Sequence, residues 1–162
     1  MNALSMIQRS GQSNGRSVKG TGAITTMLQR IREEGGDHNF FILHADEPKN
    51  YFVQFVGSRG EDIVRGEAVS NLYLEPAHML GPRRSKALLA LGWNPPMPGQ
   101  SPNFYRDWDA RKPGTRTQMA RLALRTLVQI YGLEPTAPVS YELLLEDPAP
   151  AERGQDHVSE WS

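Results

Sequence analysis

The sequence contains no cysteine, which excludes a disulfide framework and a thiolate zinc site and implies no oxidising compartment. It has no net charge, with 18 basic and 18 acidic side chains among 162 residues, so no global field draws it toward nucleic acid or a lipid surface. No apolar run approaches the ~18 residues that would span a bilayer, and Met1 to Ser10 is too short and polar for a secretory signal. A cytoplasmic protein without a membrane segment is therefore expected. Catalytic words are missing as well. There is no GxSxG elbow, no phosphate-cradling GxxxxGK[ST] loop and no GxGxxG turn. The histidines, His38, His44, His78 and His157, are scattered, and none has a second ligand at helical spacing. Acids such as Glu67, Asp107 and Asp109 read as solvent-facing. The expectation is a protein that is not an enzyme and carries no metal or cofactor.

The charge that is present is polarised along the chain. Arg9, Arg16 and Lys19 make residues 1 to 20 a +3 stretch, and the chain from Glu134 onward carries −6. Gly11 to Gly22 is almost wholly Gly, Ser, polar and basic residues, which cannot bury enough apolar area to offset the entropy of ordering. Three parts follow: a flexible basic leader over 1–21, a folded domain over 22–145 and an acidic disordered tail over 146–162.

Within the domain, Ile24, Met27, Leu28 and Ile31 fall at i, i+3, i+4 and i+7, which predicts an amphipathic helix from about residue 22 to 34, stopped by Gly35-Gly36. Three runs rich in aromatic and β-branched residues come next, over 40–44, 51–56 and 63–73, separated by turn clusters of hairpin length. Gly66 inside the third run signals a bulge or a close approach by another backbone. Pro82 opens a second helix that Gly92 ends. Four prolines between Trp93 and Pro102 enforce a stiff loop, and Asn103 to Trp108 reads as a further strand. The most regular helix spans about Thr115 to Tyr131, with Met119, Leu122, Ala123, Leu127 and Ile130 on one stripe. Val139 to Leu145 fits a strand or a helix. The fold class is thus α+β, two layers, with an antiparallel sheet of about 4–5 strands packed by three helices in the order α-β-β-β-α-β-(β)-α.

Aromatics concentrate on the strands and the proline loop. Tyr51, Val53 and Phe55 alternate with Phe52, Gln54 and Val56, so both faces of that strand are largely apolar. If one face packs under the helices, the other is a candidate surface for a peptide, a partner protein or a second subunit, the alternative being a C-terminal segment that folds back to cover it. Tyr51, Val53, Phe55, Trp93, Phe104 and Trp108 are the candidate peptide-binding residues. The alternative is a nucleic-acid-associated regulator. Residues 103 to 132 balance to +4, with Arg116, Arg121 and Arg125 on the last helix, yet no nucleic-acid-reading module is present and nucleic acid is not the expected partner.

Several ordered words carry a family resemblance: Tyr51-Phe52-Val53-Gln54-Phe55, Glu67 through Leu74, Leu88-Leu89-Ala90-Leu91-Gly92-Trp93, Ser101-Pro102-Asn103-Phe104 with Trp108, and Leu124-Arg125-Thr126-Leu127 with Tyr131-Gly132. Over about residues 38 to 133 the chain resembles the TY-Chap family, bacterial peptide-binding, chaperone-like domains related to type III secretion chaperones and to the YbjN family. The resemblance implies a chaperone-like fold that is often dimeric and a non-enzymatic binding role, with Gly92-Trp93 and Asn103-Phe104 at signature positions. It does not account for the leader or the tail.

Overall fold

The computed structural model describes residues 16–148; most of the expected leader and of the acidic tail lies outside them. Strand β1 (Ser17–Val18) leads into helix α1 (Thr21–Glu33), strands β2 (Asn39–Asp46), β3 (Tyr51–Gly57) and β4 (Ile63–Ala68), helix α2 (Pro82–Leu91), strand β5 (Phe104–Asp109), helix α3 (Pro113–Gln129) and strand β6 (Val139–Leu144). All pairings are antiparallel, and the six strands lie in the order β1-β6-β2-β3-β4-β5. The fold is α+β, as expected.

Three differences from the sequence-based expectation have local causes. Val139 to Leu144 is a strand, and it returns after the last helix to lie between β1 and β2. Ser17–Val18, inside the expected leader, pairs with its outer edge. The third strand run ends at Ala68 instead of Tyr73, because the Ser70 hydroxyl accepts a hydrogen bond from the Leu72 amide and caps a 3-10 turn over Asn71–Tyr73.

Ladder register places Leu143, Phe41, Phe55, Gly66 and Arg106 in one row across the sheet, and Tyr141, Leu43, Val53, Ala68 and Phe104 in the next. Both rows belong to the face that α1 and α3 cover, since the two helices pack on each other and on β2 and β3. Ile24, Leu28 and Ile31 of α1 and Met119, Ala123 and Leu127 of α3 are fully buried against it. Each large side chain so buried stabilises by roughly 1.5–3 kcal/mol. On the same face Gly57 lies close beneath Ile31, where an added Cβ would stand 3.3 Å from the Ile31 side chain.

Tyr131, just beyond α3, is buried against Tyr51 and donates from its hydroxyl to the Val69 carbonyl oxygen at 2.8 Å. Burial raises its phenol pKa far above the ordinary 10.0. The neutral form is therefore stabilised in the fold, a contribution present below 10.0 and lost as pH rises above it, because only the unfolded chain then ionises readily. Tyr131→Phe is expected to cost about 1–2 kcal/mol near neutral pH, and tyrosinate absorbance in the native protein should show Tyr131 titrating only upon unfolding. Its free titration in the folded state would contradict this.

Candidate functional site

All six candidate peptide-binding residues are interior. Tyr51, Val53, Phe55, Trp93, Phe104 and Trp108 are each no more than 7% exposed. The reason is placement: the 51/53/55 face is the one that α1 and α3 occupy. The indole of Trp93 stands edge-on to that of Trp108 at 6.1 Å and donates to the buried Thr126 hydroxyl at 3.0 Å, which locks the chain after α2 onto α3. Phe55 completes the aromatic stack 6.3 Å from Trp108. On the opposite face Phe40, Ile42, Phe52 and Gln54 are buried too, beside a buried His44–Glu142 pair at 2.9 Å. An open apolar face across the central strands is therefore not what this fold presents.

An apolar surface does open at one end of the sheet. A cavity of about 550 Å³ lies between the turn that follows β4, the start of α2 and the proline loop. Phe104 and Ser101 are on its floor, Asn71 and Leu72 form one wall, Pro96, Pro98 and Pro102 the other, and Ser85 of α2 closes a side. Leu72 is 71% exposed, and Met79, Leu89 and Met97 are further exposed apolar side chains of these same segments.

The groove is held open by backbone pairing and a small polar network. Asn94 and Tyr105 exchange backbone hydrogen bonds, which folds the proline loop back along the outer edge of β5. Met97 and Ser101 pair likewise, around a turn in which Gly99 takes a positive φ of 81°. Beneath the wall, Asn103 Oδ1 accepts from the Ser70 amide at 3.0 Å, while its Nδ2 donates to Glu67 Oε1 at 3.1 Å, an oxygen that also accepts from Gln54 Nε2. Ser70 Oγ donates to the Pro102 carbonyl at 2.6 Å and so ties one wall to the other. Asn71 bonds the backbone of Leu80 through both ends of its amide. These bonds fix the walls without contact with a ligand, while Gln54 Oε1, at the far end of the network, is buried with no hydrogen-bond partner among the described residues. The sequence reading found Phe104 and the stiffness of the proline loop. It missed Leu72, Ser70 and Asn71, because it ran the third strand through them.

The basic stretch of residues 103 to 132 divides in the fold. Arg111 pairs with Asp109 and Asp62, and Arg116 donates to the carbonyl oxygens of Ala110 and Arg111. The Arg111 guanidinium holds the Asp109 carboxyl well below its usual range, at about 2. Among the described residues no group of three or more His, Cys, Asp or Glu side chains could hold a metal ion, and no helix is long and apolar enough to cross a membrane.

A groove with apolar walls, supported by hydrogen bonds and lined by no charged side chain, is suited to binding a chain segment. The family model TY-Chap3, described as T3SS (YopN, CesT) and YbjN peptide-binding chaperone 3, matches residues 22–143. The chain belongs to this family. No curated protein and no solved structure matched it. The match covers α1 through most of β6, and both groove walls lie inside it. The TY-Chap family is a peptide-binding chaperone family, so the partners of its members are peptides or proteins.

Proposed function

We propose that this TY-Chap domain holds a segment of a partner protein in the proline-walled groove, as a binding module without catalysis. The observation that carries the reading is the exposed Leu72 beside the Phe104 floor, an apolar surface left open in a domain whose central strands are buried on both faces. Isolated exposed leucines are ordinary; one that walls a cavity of about 550 Å³ opposite three prolines is a place for a partner's apolar side chain. The proline wall lacks amide donors and keeps its shape, so little conformational entropy is lost when a peptide settles against it. A cytoplasmic location, expected from composition, and a homodimer, implied by the family resemblance, both fit this role.

The test is a peptide array probed with the intact protein, followed by anisotropy titration of the bound peptides. Burial of a leucine-sized contact stabilises by roughly 1.5–3 kcal/mol, so Leu72→Glu should weaken apolar peptides by about tenfold to a hundredfold. Leu72 is exposed, and the variant should keep its thermal stability. Absence of any peptide ligand, or peptides indifferent to Leu72→Glu, would overturn the assignment of the groove.

A further inference from the structure

A second cavity, of about 280 Å³, lies where α3 overhangs β5 and α2 ends. Gln118, Arg121, Leu122 and Arg125 of α3 line it from above, at i, i+3, i+4 and i+7, which is one helical face. Arg106 and Trp108 of β5 and Leu91 of α2 complete it. No acid is among these lining residues. Among the described residues, Arg30, Arg32, Arg65 and Arg111 have carboxylate partners, and Arg106, Arg121 and Arg125 have none.

Three like charges around one small cavity repel one another, and an ordinary solvated arginine relieves this by swinging into water. Arg106 is held in place. Its guanidinium lies over the Trp108 ring, 4.9 Å from the centroid, and packs where a side chain on Gly92 would stand, 2.8 Å from that glycine's Cβ position. Gly92 has a positive φ of 111° and closes α2. The glycine that ends α2 thus leaves room for the end of the guanidinium, which a side chain there would crowd. A fixed cation flanked by two more and by an apolar wall of Leu91, Leu122 and Trp108 matches an anionic group carried on an apolar body.

We infer that the Arg106–Arg121–Arg125 cavity receives a carboxylate side chain of a bound acidic peptide. The inference rests on the peptide-binding reading and adds a charge requirement to it. Phe104, on the groove floor, and Arg106 are two positions apart on the same face of β5, about 7 Å along the strand. A single segment can therefore present an apolar residue to one cavity and an acid to the other. Nucleic acid fits less well. A phosphate backbone is tracked by a stripe of cations, whereas here Arg111 and Arg116 are already engaged and Asp107 and Asp109 lie on β5 itself, alternating with Arg106 and Trp108.

The experiment uses the intact protein and three fluorescein-labelled probes of equal length: a Glu-Leu repeat peptide, its Lys-Leu counterpart and single-stranded DNA. The Glu-Leu peptide should bind most tightly, with affinity falling as salt rises. The double variant Arg121→Gln with Arg125→Gln should weaken it at least about tenfold. Both arginines are exposed, so thermal stability should be unchanged. Equal binding of the Lys-Leu peptide, tighter binding of DNA, or an indifferent double variant would each overturn the inference. Leu72→Glu separates the two sites. If it abolishes binding while the arginine variant does not, the groove stands and the arginine site fails; the reverse pattern retains the arginine site and removes the groove.

Discussion

Asn39→Ala is expected to destabilise the domain by about 3 kcal/mol or more, lowering its melting temperature by about 10 °C. Asn39 begins β2 beneath the end of α1, and its side chain is fully buried. Its Nδ2 donates to the carbonyl oxygens of Ile31 at 2.9 Å, Glu34 at 2.8 Å and Gly36 at 3.2 Å, while Oδ1 accepts from the amides of Gly36 and Glu146, each at 3.1 Å. One amide group thus satisfies the final turn of α1, the glycine turn after it and the chain that leaves β6. Alanine removes the side-chain donor and acceptor and leaves the buried backbone carbonyls and amides without partners, which costs more than the net value of the bonds themselves. Asn39→Asp keeps the acceptor and loses the donor, so it should recover little. A Cβ on Gly35, which has a positive φ of 70°, would collide with the same amide, so the turn and the asparagine depend on each other. Thermal and denaturant unfolding by circular dichroism measure the effect, and a loss below about 1 kcal/mol would show that water replaces the side chain.

None of this was visible in the sequence, where Asn39 is one polar residue ahead of an apolar run. The helices were legible because their signal is periodic and local: Ile24, Leu28 and Ile31 predicted α1, and Pro82 and Gly92 marked both ends of α2. Strands were legible in kind but not in extent. Residues 69 to 73 look like a continuation of β4, and only the Ser70 cap and its long-range ties to Pro102 and Asn103 turn the chain there. Val139 to Leu144 carries no decisive period, and β6 becomes a strand because β2 offers it an edge. The same limit governed the site. Alternation in Tyr51 to Val56 shows that both faces are apolar, yet it cannot say which one the helices take. The groove needs the Asn94 and Tyr105 backbone pair, which joins segments that have no sequence pattern in common. The +4 balance of residues 103 to 132 was legible; the convergence of Arg106, Arg121 and Arg125 on one cavity depends on how α3 crosses β5.

Gly66→Val is expected to cost about 3 kcal/mol and to disturb the arginine cavity together with the core, because the glycine is where the aromatic stack meets the sheet. Gly66 lies opposite Phe55 on β3 and Arg106 on β5. A Cβ there would stand 2.7 Å from Trp108 Cζ3 and 3.1 Å from Phe55 Cε1. The group that crowds this glycine is a pair of aromatic rings, not the other backbone that the sequence leads us to expect. Neither ring has a free direction of retreat. Trp108 is braced by Trp93, which Thr126 holds by its hydroxyl, and is covered by the Arg106 guanidinium; Phe55 stacks on Phe41. Alanine should cost about 1–2 kcal/mol, with valine worse because both γ-methyl groups must enter the same close-packed space. Displacement of Trp108 should also shift the tryptophan emission and weaken the acidic peptide, since Arg106 loses the ring beneath it. Adding Phe55→Leu to Gly66→Val removes one of the two rings and should recover part of the loss. The two substitutions would then be non-additive in unfolding free energy, whereas strict additivity would mean that the clash with Phe55 is not the cause.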